Sequence, residues 1–357
     1  MDSLILMMCL TALTIARRSD FVQLVSQVNN LKTTWTAALD PSFNYDDDSL
    51  IRLRGAGSIN QDNVIESELR MRQRPRMLQQ TPEYFLRSSS SGFFQIKAPS
   101  EYPASLDLRI KYPRCRSIRM IRNQSVCASC WAFAPMNSIS DNYCIKYSTP
   151  LITEERFFST QDSLECCPTC SADPTNPCLG GYLYQAFKHA KVEGIVSGEV
   201  FASTALCKPY FLSEIYIGLP PNLTCNKQCN PLAKVSEYTA DKMKIKDFIY
   251  GKGVNEMIAA LNSIGSIAVT MDVNRDLYTY KSGVYENKHP DYVGGHAVRI
   301  IGYGTENGVD FWIAANSWGT AWGERGFFRI RRGTNESAIE SSYFFAPLLD
   351  ESSIVTN

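Results

Sequence analysis

The sequence predicts an α+β fold in two lobes, and two observations carry that prediction. Residues 130 to 146 place Met136, Ile139 and Tyr143 at i, i+3 and i+7, the spacing of one helix face. Pro135 argues against a fully regular first part, because its ring crowds the carbonyl one turn back. The later chain breaks instead into short apolar or alternating runs split by glycines: SIAVTMDV, HAVRIIGYG, DFWIAANSWG and GFFRIRRG. These read as strands. A helical half followed by a strand-rich half gives two lobes, and a cleft between lobes is a common ligand site.

Ahead of this unit the composition changes. The 357 residues open on an apolar run at 4–16, LILMMCLTALTIA, too short to span a bilayer and suited to a secretory signal peptide cut after Ala16. No other stretch approaches a membrane span. Residues 17 to about 101 hold no cysteine. They carry the acidic cluster Asp46, Asp47 and Asp48, the basic run RMRQRPR at 70–76, and SSSSG at 88–92. Such composition builds a poor core and is easily cut by proteases. From Tyr102 onward cysteines and apolar residues become dense, so the reading is a signal peptide (1–16), a removable leader (17–101) and a globular unit (102–357). Formal net charge is zero, which leaves nucleic-acid binding without electrostatic support.

The chain has 12 cysteines; with Cys9 lost in the signal peptide an odd number remains. In a secreted chain that points to disulfides plus one free or reactive thiol. Sequons at Asn222 and Asn335 agree with a secretory route. A third, Asn123, is expected to be empty because of where it lies: in NQSVCASCWAF, residues 123–133, where Cys127 and Cys130 form a C-x-x-C. Three chemistries use that pattern. Zinc needs four Cys or His ligands; a second C-x-x-C exists at Cys167 and Cys170, and the histidines are His189, His289 and His296. Secretory signals favour disulfides over zinc. A redox pair wants a βαβ setting, and the flanks here are a loop and a helix.

The third chemistry is nucleophilic. It needs a thiolate, a base, an orienting group and an oxyanion donor. Cys130 falls at the start of the predicted helix, where the dipole favours a thiolate. His296 in GGHAVRI can serve as base, with Gly294 and Gly295 leaving room for substrate. Asn316 in AANSWG can hold the imidazole, and Gln124 can donate to an oxyanion. Each residue alone has a structural reading, and their joint occurrence is the signal.

QSVCASCWAF, CLGGY (178–182), GGHAVRIIGYG (294–304) and NSWGTAWGERGFF (316–328) resemble the papain family of cysteine proteases. The start YPASLDLRIKYPRC, the leader runs TTWTAALD and LIRLRGAG, and CCPTCSADPTNPCLGGY are similar to its cathepsin B-like members. The resemblance implies a papain-like fold with a helical lobe, a β-barrel-like lobe and the active site in the cleft. It implies a secreted or lysosomal zymogen that cuts peptide bonds with Cys130, His296, Asn316 and Gln124, without cofactor or metal. Trp318 would shield the His296–Asn316 bond, and Gly180 and Gly181 would pair with an extended substrate. The implied disulfides are Cys115–Cys144, Cys127–Cys178, Cys166–Cys225, Cys167–Cys170 and Cys207–Cys229, which leave Cys130 alone. The implied partners are peptide or protein substrates, cystatin-like inhibitors, and the leader as inhibitor with Arg54-Gly55 near Cys130. Acid is expected to loosen the leader through the cluster at 46–48. The competing class is a non-catalytic binding protein on the same fold.

Four departures refine the expectation. The downstream spacing from Cys130 exceeds the family's roughly 130–150 residues, so an insertion lies between. Residues 208–224, KPYFLSEIYIGLPPNLT, stand where cathepsin B carries an occluding loop with paired histidines, and contain no His. With no imidazolium to bind a substrate carboxylate, an endopeptidase with little dipeptidase activity is expected. Ser342 replaces the acidic residue of the cathepsin B I-E-S-E run, so an apolar P2 residue is expected. Ser125, Val126 and Ala128 put side chains where the family has smaller ones, which narrows or strains the loop before Cys130.

Overall fold

A computed structural model describes residues 19–40, 50, 53, 85–90, 93–95, 101–148, 155–201, 203–213 and 223–350. The signal-like run, Asp46 to Asp48, Arg54-Gly55, the run 70–76 and Asn222 fall outside these residues.

Among the described residues eleven strands form one sheet: β1 (Trp35–Ala37), β2 (Phe85–Ser88), β3 (Phe93–Gln95), β4 (Leu106–Asp107), β5 (Asp247–Gly251), β6 (Ile267–Asn274), β7 (Tyr280–Tyr285), β8 (Tyr292–Glu306), β9 (Val309–Ala315), β10 (Phe327–Arg331) and β11 (Phe344–Leu348). Their order is β1-β7-β10-β9-β8-β6-β11-β5-β2-β3, with β4 on β8. The centre is antiparallel, β6 to β8 and β8 to β9, and β10 meets β7 in parallel. Strands β5 and β6 are buried almost throughout, so the SIAVTMDV run packs on both faces.

Five helices matter for the site. Helix α1 covers residues 19–30 of the leader. Helices α2 (Cys130–Tyr147), α3 (Thr160–Cys166) and α4 (Leu183–Val192) form the helical lobe, and α5 (Val254–Ser263) lies against the sheet. Helix α2 runs unbroken through Pro135, contrary to the expected irregularity. Thirteen consecutive residues, Cys130 to Asn142, are buried, and packing on every side outweighs the one carbonyl bond that proline forfeits.

Among the described residues two large apolar clusters fill the molecule, with a small third one at Val196, Cys207 and Tyr238. One lies about the sheet and holds Ile267, Trp312, Phe328 and Phe344. The other surrounds α2 and holds Trp131, Phe133 and Phe187 together with Phe248 and Phe345 from the sheet. Phe187 stands 5.6 Å from Phe248 and 5.7 Å from Phe345, ring centre to ring centre, so the lobes share aromatic contacts. An ion pair adds to the seam: Arg299 on β8 donates to both carboxylate oxygens of Asp141 on α2, at 2.7 and 2.8 Å. Both side chains are buried, and removing one partner of such a pair costs about 3–5 kcal/mol. The pair ties the helix that starts with Cys130 to the strand that carries His296.

The described buried apolar residues before Glu101 join the sheet cluster. Phe21, Leu24 and Val28 on α1, with Trp35 and Ala37, are buried in the sheet cluster. Strand β1 adds to β7, and the Trp35 indole N–H donates to the Glu286 carbonyl at 2.9 Å. A second leader segment, β2 and β3, extends the opposite end of the sheet by pairing with β5.

Candidate active site

Cys130 is the first residue of α2, buried and outside every disulfide. Its partner in the C-x-x-C, Cys127, is bonded to Cys178, and the second C-x-x-C closes on itself as Cys167–Cys170. Cys115–Cys144, Cys166–Cys225 and Cys207–Cys229 complete the set. The 51-residue span between Cys127 and Cys178 fastens the loop before Cys130 to the Gly180–Gly181 turn; in the chain-entropy account such a closure is worth about 4 kcal/mol. Ala128 strengthens that join by donating its N–H to the Cys178 carbonyl at 3.1 Å.

His296 lies on β8 opposite Met271 of β6, and Asn316 follows directly on β9. The long β8–β9 pairing brings the two side chains together: His296 Nε2 stands 2.8 Å from Asn316 Oδ1. An amide oxygen only accepts, so Nε2 carries the proton and Nδ1 keeps its lone pair. Among the described residues Nδ1 is buried with no hydrogen-bond partner. Trp318 covers this histidine, its ring centre 4.8 Å from the imidazole centre. Burial pushes the His296 pKa down to about 4, against the raising effect of the Asn316 bond, so the ring is neutral at pH 7.

Gln124 is held from three sides. Its backbone N–H donates to the Ser317 carbonyl at 2.9 Å, and the Ser317 hydroxyl donates to Gln124 Oε1 at 2.6 Å. That hydroxyl sets the amide so that Nε2 donates to the Cys127 carbonyl at 3.0 Å and to the carbonyl of Leu53 at 3.2 Å. Ser317 also donates its N–H to Asn316 Oδ1 at 2.8 Å, so one serine links the Asn316 and Gln124 amides. Leu53 belongs to the leader. Its carbonyl accepts from the Trp318 indole at 3.1 Å as well, and the Leu50 carbonyl accepts from the Tyr278 hydroxyl at 3.0 Å. The leader therefore places a peptide carbonyl on the very amide read from sequence as an oxyanion donor, one residue before Arg54.

The other sequence-selected residues are less closely joined. Gly181 lies against Trp131, where a Cβ would collide with the ring and the Cys170 carbonyl. Gly180 has φ 111°, and its carbonyl accepts from Ala172 N at 2.8 Å within its own lobe. Ser342 is buried in the turn before β11, bonded through its N–H to the Ala338 carbonyl, apart from the Gln124–Ser317–Asn316–His296 network. Its neighbour Glu340 accepts from Trp312 Nε1 and from the N–H groups of Gly333 and Asn335, so that carboxylate is engaged inside the turn. Ser125 has φ 53°, a left-handed conformation in the loop before Cys130.

The sequence model described as papain family cysteine protease matches residues 102–347. The chain is a papain-family cysteine protease. Cathepsin B-like cysteine proteinase 3 of Caenorhabditis elegans is 35% identical over 326 residues, covering 89% of this chain and 80% of that protein. Cathepsin B-like cysteine proteinase 4 of the same organism is 38% identical over 254 residues, 67% of this chain and 73% of that protein. Among solved structures, procathepsin B S9 from Trypanosoma congolense superposes with a TM-score of 0.70 at 26% identity, covering 92% of this chain and 98% of that one. This papain-family protease is thus cathepsin B-like, and its leader-bound form is that of a zymogen. No described helix is long and apolar enough to cross a membrane.

Reading the sequence missed Ser317, Tyr278 and Leu53. Ser317 was inside a quoted motif, and only the fold puts its hydroxyl on Gln124. Leu53 lay inside the quoted run LIRLRGAG, next to the Arg54-Gly55 expected near Cys130, and only the fold puts its carbonyl on Gln124.

Proposed function

We propose that this cysteine protease is a secretory-pathway endopeptidase working through Cys130, His296, Asn316 and Gln124. The observation that carries the reading is the Leu53 carbonyl on Gln124 Nε2, a peptide oxygen held where a substrate's oxyanion would form. His296 Nδ1, unprotonated and buried, takes the Cys130 proton. The thiolate, favoured at the start of α2, adds to the scissile carbonyl carbon. Charge builds on the carbonyl oxygen, stabilised by Gln124 Nε2–H and the Cys130 backbone N–H. His296 then gives its proton to the leaving amine, and the C–N bond breaks. Water, deprotonated by the same imidazole, hydrolyses the thioester and restores the thiol. Asn316 keeps the ring turned so that one nitrogen serves every step, and Trp318 keeps water from that bond.

The leader, proposed as residues 17 to about 101, inhibits by occupying this path, with the signal peptide 1–16 removed earlier. Gly180 and Gly181 are proposed to line the substrate backbone, Ser342 to leave P2 without a carboxylate partner, and cystatin-like proteins to compete for the cleft. The test is labelling of acid-matured protein with a peptidyl epoxide without reductant, followed by peptide mass mapping. Stoichiometric label on Cys130, abolished in His296→Ala, is the expected result. Reduced but unlabelled Cys130 in leader-free protein would overturn the reading in favour of a binding protein on this fold.

A further inference from the structure

We propose that Tyr210 is a positioning residue that holds the oxyanion loop in register with the nucleophile. Tyr210 follows Cys207 in the segment that stands where an occluding loop was expected. Its side chain is buried, edge-on to Phe133 at 4.8 Å and to Phe211 at 5.1 Å. Its hydroxyl donates to the main-chain carbonyl of Gln124 at 2.8 Å and lies 3.1 Å from Ser129 Oγ. One oxygen thus bridges the residue that carries the oxyanion amide and the residue just before Cys130. The proton count is settled by chemistry. The Gln124 carbonyl only accepts, so the phenol proton goes there, and Ser129 O–H turns to the phenol oxygen or to the Cys127 carbonyl at 3.2 Å.

The loop needs such a brace. Ser125 sits at φ 53°, and within the loop the Gln124 carbonyl accepts from Cys127 N at 3.4 Å. The Tyr210 bond is the shorter of the two. Burial pushes the phenol's pKa well above its ordinary value, so it stays a donor wherever the enzyme works.

This inference rests on the proposed roles of Cys130 and Gln124. The test is Tyr210→Phe in the full chain after acid maturation, which keeps the ring and removes one O–H. Hydrolysis of a peptide amide should lose roughly tenfold in kcat, the scale of one buried hydrogen bond, with KM within about twofold and unshifted pH limbs. Alkylation of Cys130 by iodoacetamide forms no oxyanion, and its rate should change by less than about threefold. A kcat within about twofold of the parent, with only Tm lowered, would overturn the proposal and leave Tyr210 a packing residue without effect on the reaction. Equal losses in hydrolysis and alkylation would place its effect on the thiol and overturn the proposal. Failure of the parent protein to take the epoxide on Cys130 would instead overturn the proposed function.

A separate observation supports a second inference: the geometry points to residues 85–95 staying on the peptidase when the cleft is cleared. Leu86 is buried in the sheet core, and Arg87 and Ser88 pair with Tyr250 and Ile249 of β5. The serine run then closes on one charged pair. Ser88 Oγ donates to Asp247 Oδ2 at 2.6 Å, Ser89 Oγ donates to Oδ1, and Ser90 N–H donates to Oδ2 at 3.3 Å. Lys191 on α4 bonds Asp247 at 2.9 Å and reaches the hydroxyls of Ser89 and Ser90. This anchor is at the far end of the strand order from β1, whereas Leu50 and Leu53 hold the cleft. Among the described residues it is Leu50 and Leu53 that must leave to open the cleft, and the anchor at Asp247 is not involved in their contacts. Native size exclusion of the matured enzyme, followed by denaturing mass spectrometry, should recover residues 85–95 with the peptidase, covalently attached or as a fragment. Asp247→Ala, or the milder Lys191→Ala, should release them. Fully active enzyme without any peptide covering 85–95 would overturn the inference.

Discussion

Acid should drain stability from the leader-bound protein through His296. Its pKa is depressed from 6.5 to about 4, so the unfolded chain binds this proton before the folded one does. The contribution is fully present above pH 6.5 and is lost as pH falls toward 4. The proton imbalance amounts to about 2 kcal/mol at pH 5 and about 3 kcal/mol at pH 4. Asp276, Glu256 and Glu336, whose pKa values burial raises, act in the opposite sense. They are common to any pair of variants that differ only at His296. The assay is therefore urea denaturation at pH 7 and pH 5 of the full chain carrying Cys130→Ser, which prevents self-cleavage, with and without His296→Gln. The histidine protein should lose about 2 kcal/mol more than the glutamine protein on acidification. A difference under about 0.5 kcal/mol, inside the extrapolation error, would mean that the imidazole is not desolvated and that acid acts elsewhere.

Trp35→Ala removes a fully packed indole between β1 and Tyr285, whose ring centre is 5.1 Å away, at a cost of about 3–5 kcal/mol to leader docking. Epoxide labelling of the uncleaved protein at neutral pH should accelerate more than about a hundredfold; an unchanged rate would refute the docking argument. Ser125→Gly should raise stability by about 0.5–1 kcal/mol in urea, because glycine adopts φ 53° without strain; a loss would show that the serine side chain matters more than its backbone. Substrates with Phe at P2 should be cut faster than those with Arg, since Ser342 offers no charge and Glu340 is engaged with Trp312; equal rates would refute this. Amidating a substrate's C-terminus should leave its cleavage nearly unchanged, and strong preference for the free carboxylate would refute the endopeptidase reading. The Asp247 carboxyl is desolvated, but bonds from Ser88, Ser89, Lys191 and Ser90 hold its pKa well below the carboxylate range. Its stabilisation is lost only below its ordinary value of 3.8, so the β2–β3 hairpin should resist release at pH 5, as hydrogen exchange at Leu86 would report.

By itself the sequence determined the class of chemistry and the two-part build. An odd cysteine, one His after paired glycines and one Asn before Ser-Trp are local signals, readable because nucleophilic catalysis needs those residue types. The α+β division was legible too, because buried strands leave apolar runs and helices leave a 3.6-residue period. What the tertiary structure decided is which groups meet. That Ser317 orients Gln124, that Tyr210 spans residues 124 and 129, and that a leader carbonyl lands on the donor amide are contacts across 71 to 193 residues of chain. No local pattern encodes them, since each side chain alone is an ordinary polar residue. Helix α2 makes the same point: its proline argued for irregularity, and packing on every side overrode it. Ser88, Ser89 and Ser90 read as part of a poor core segment, yet they are held by one carboxylate and one ammonium that only the fold brings beside them.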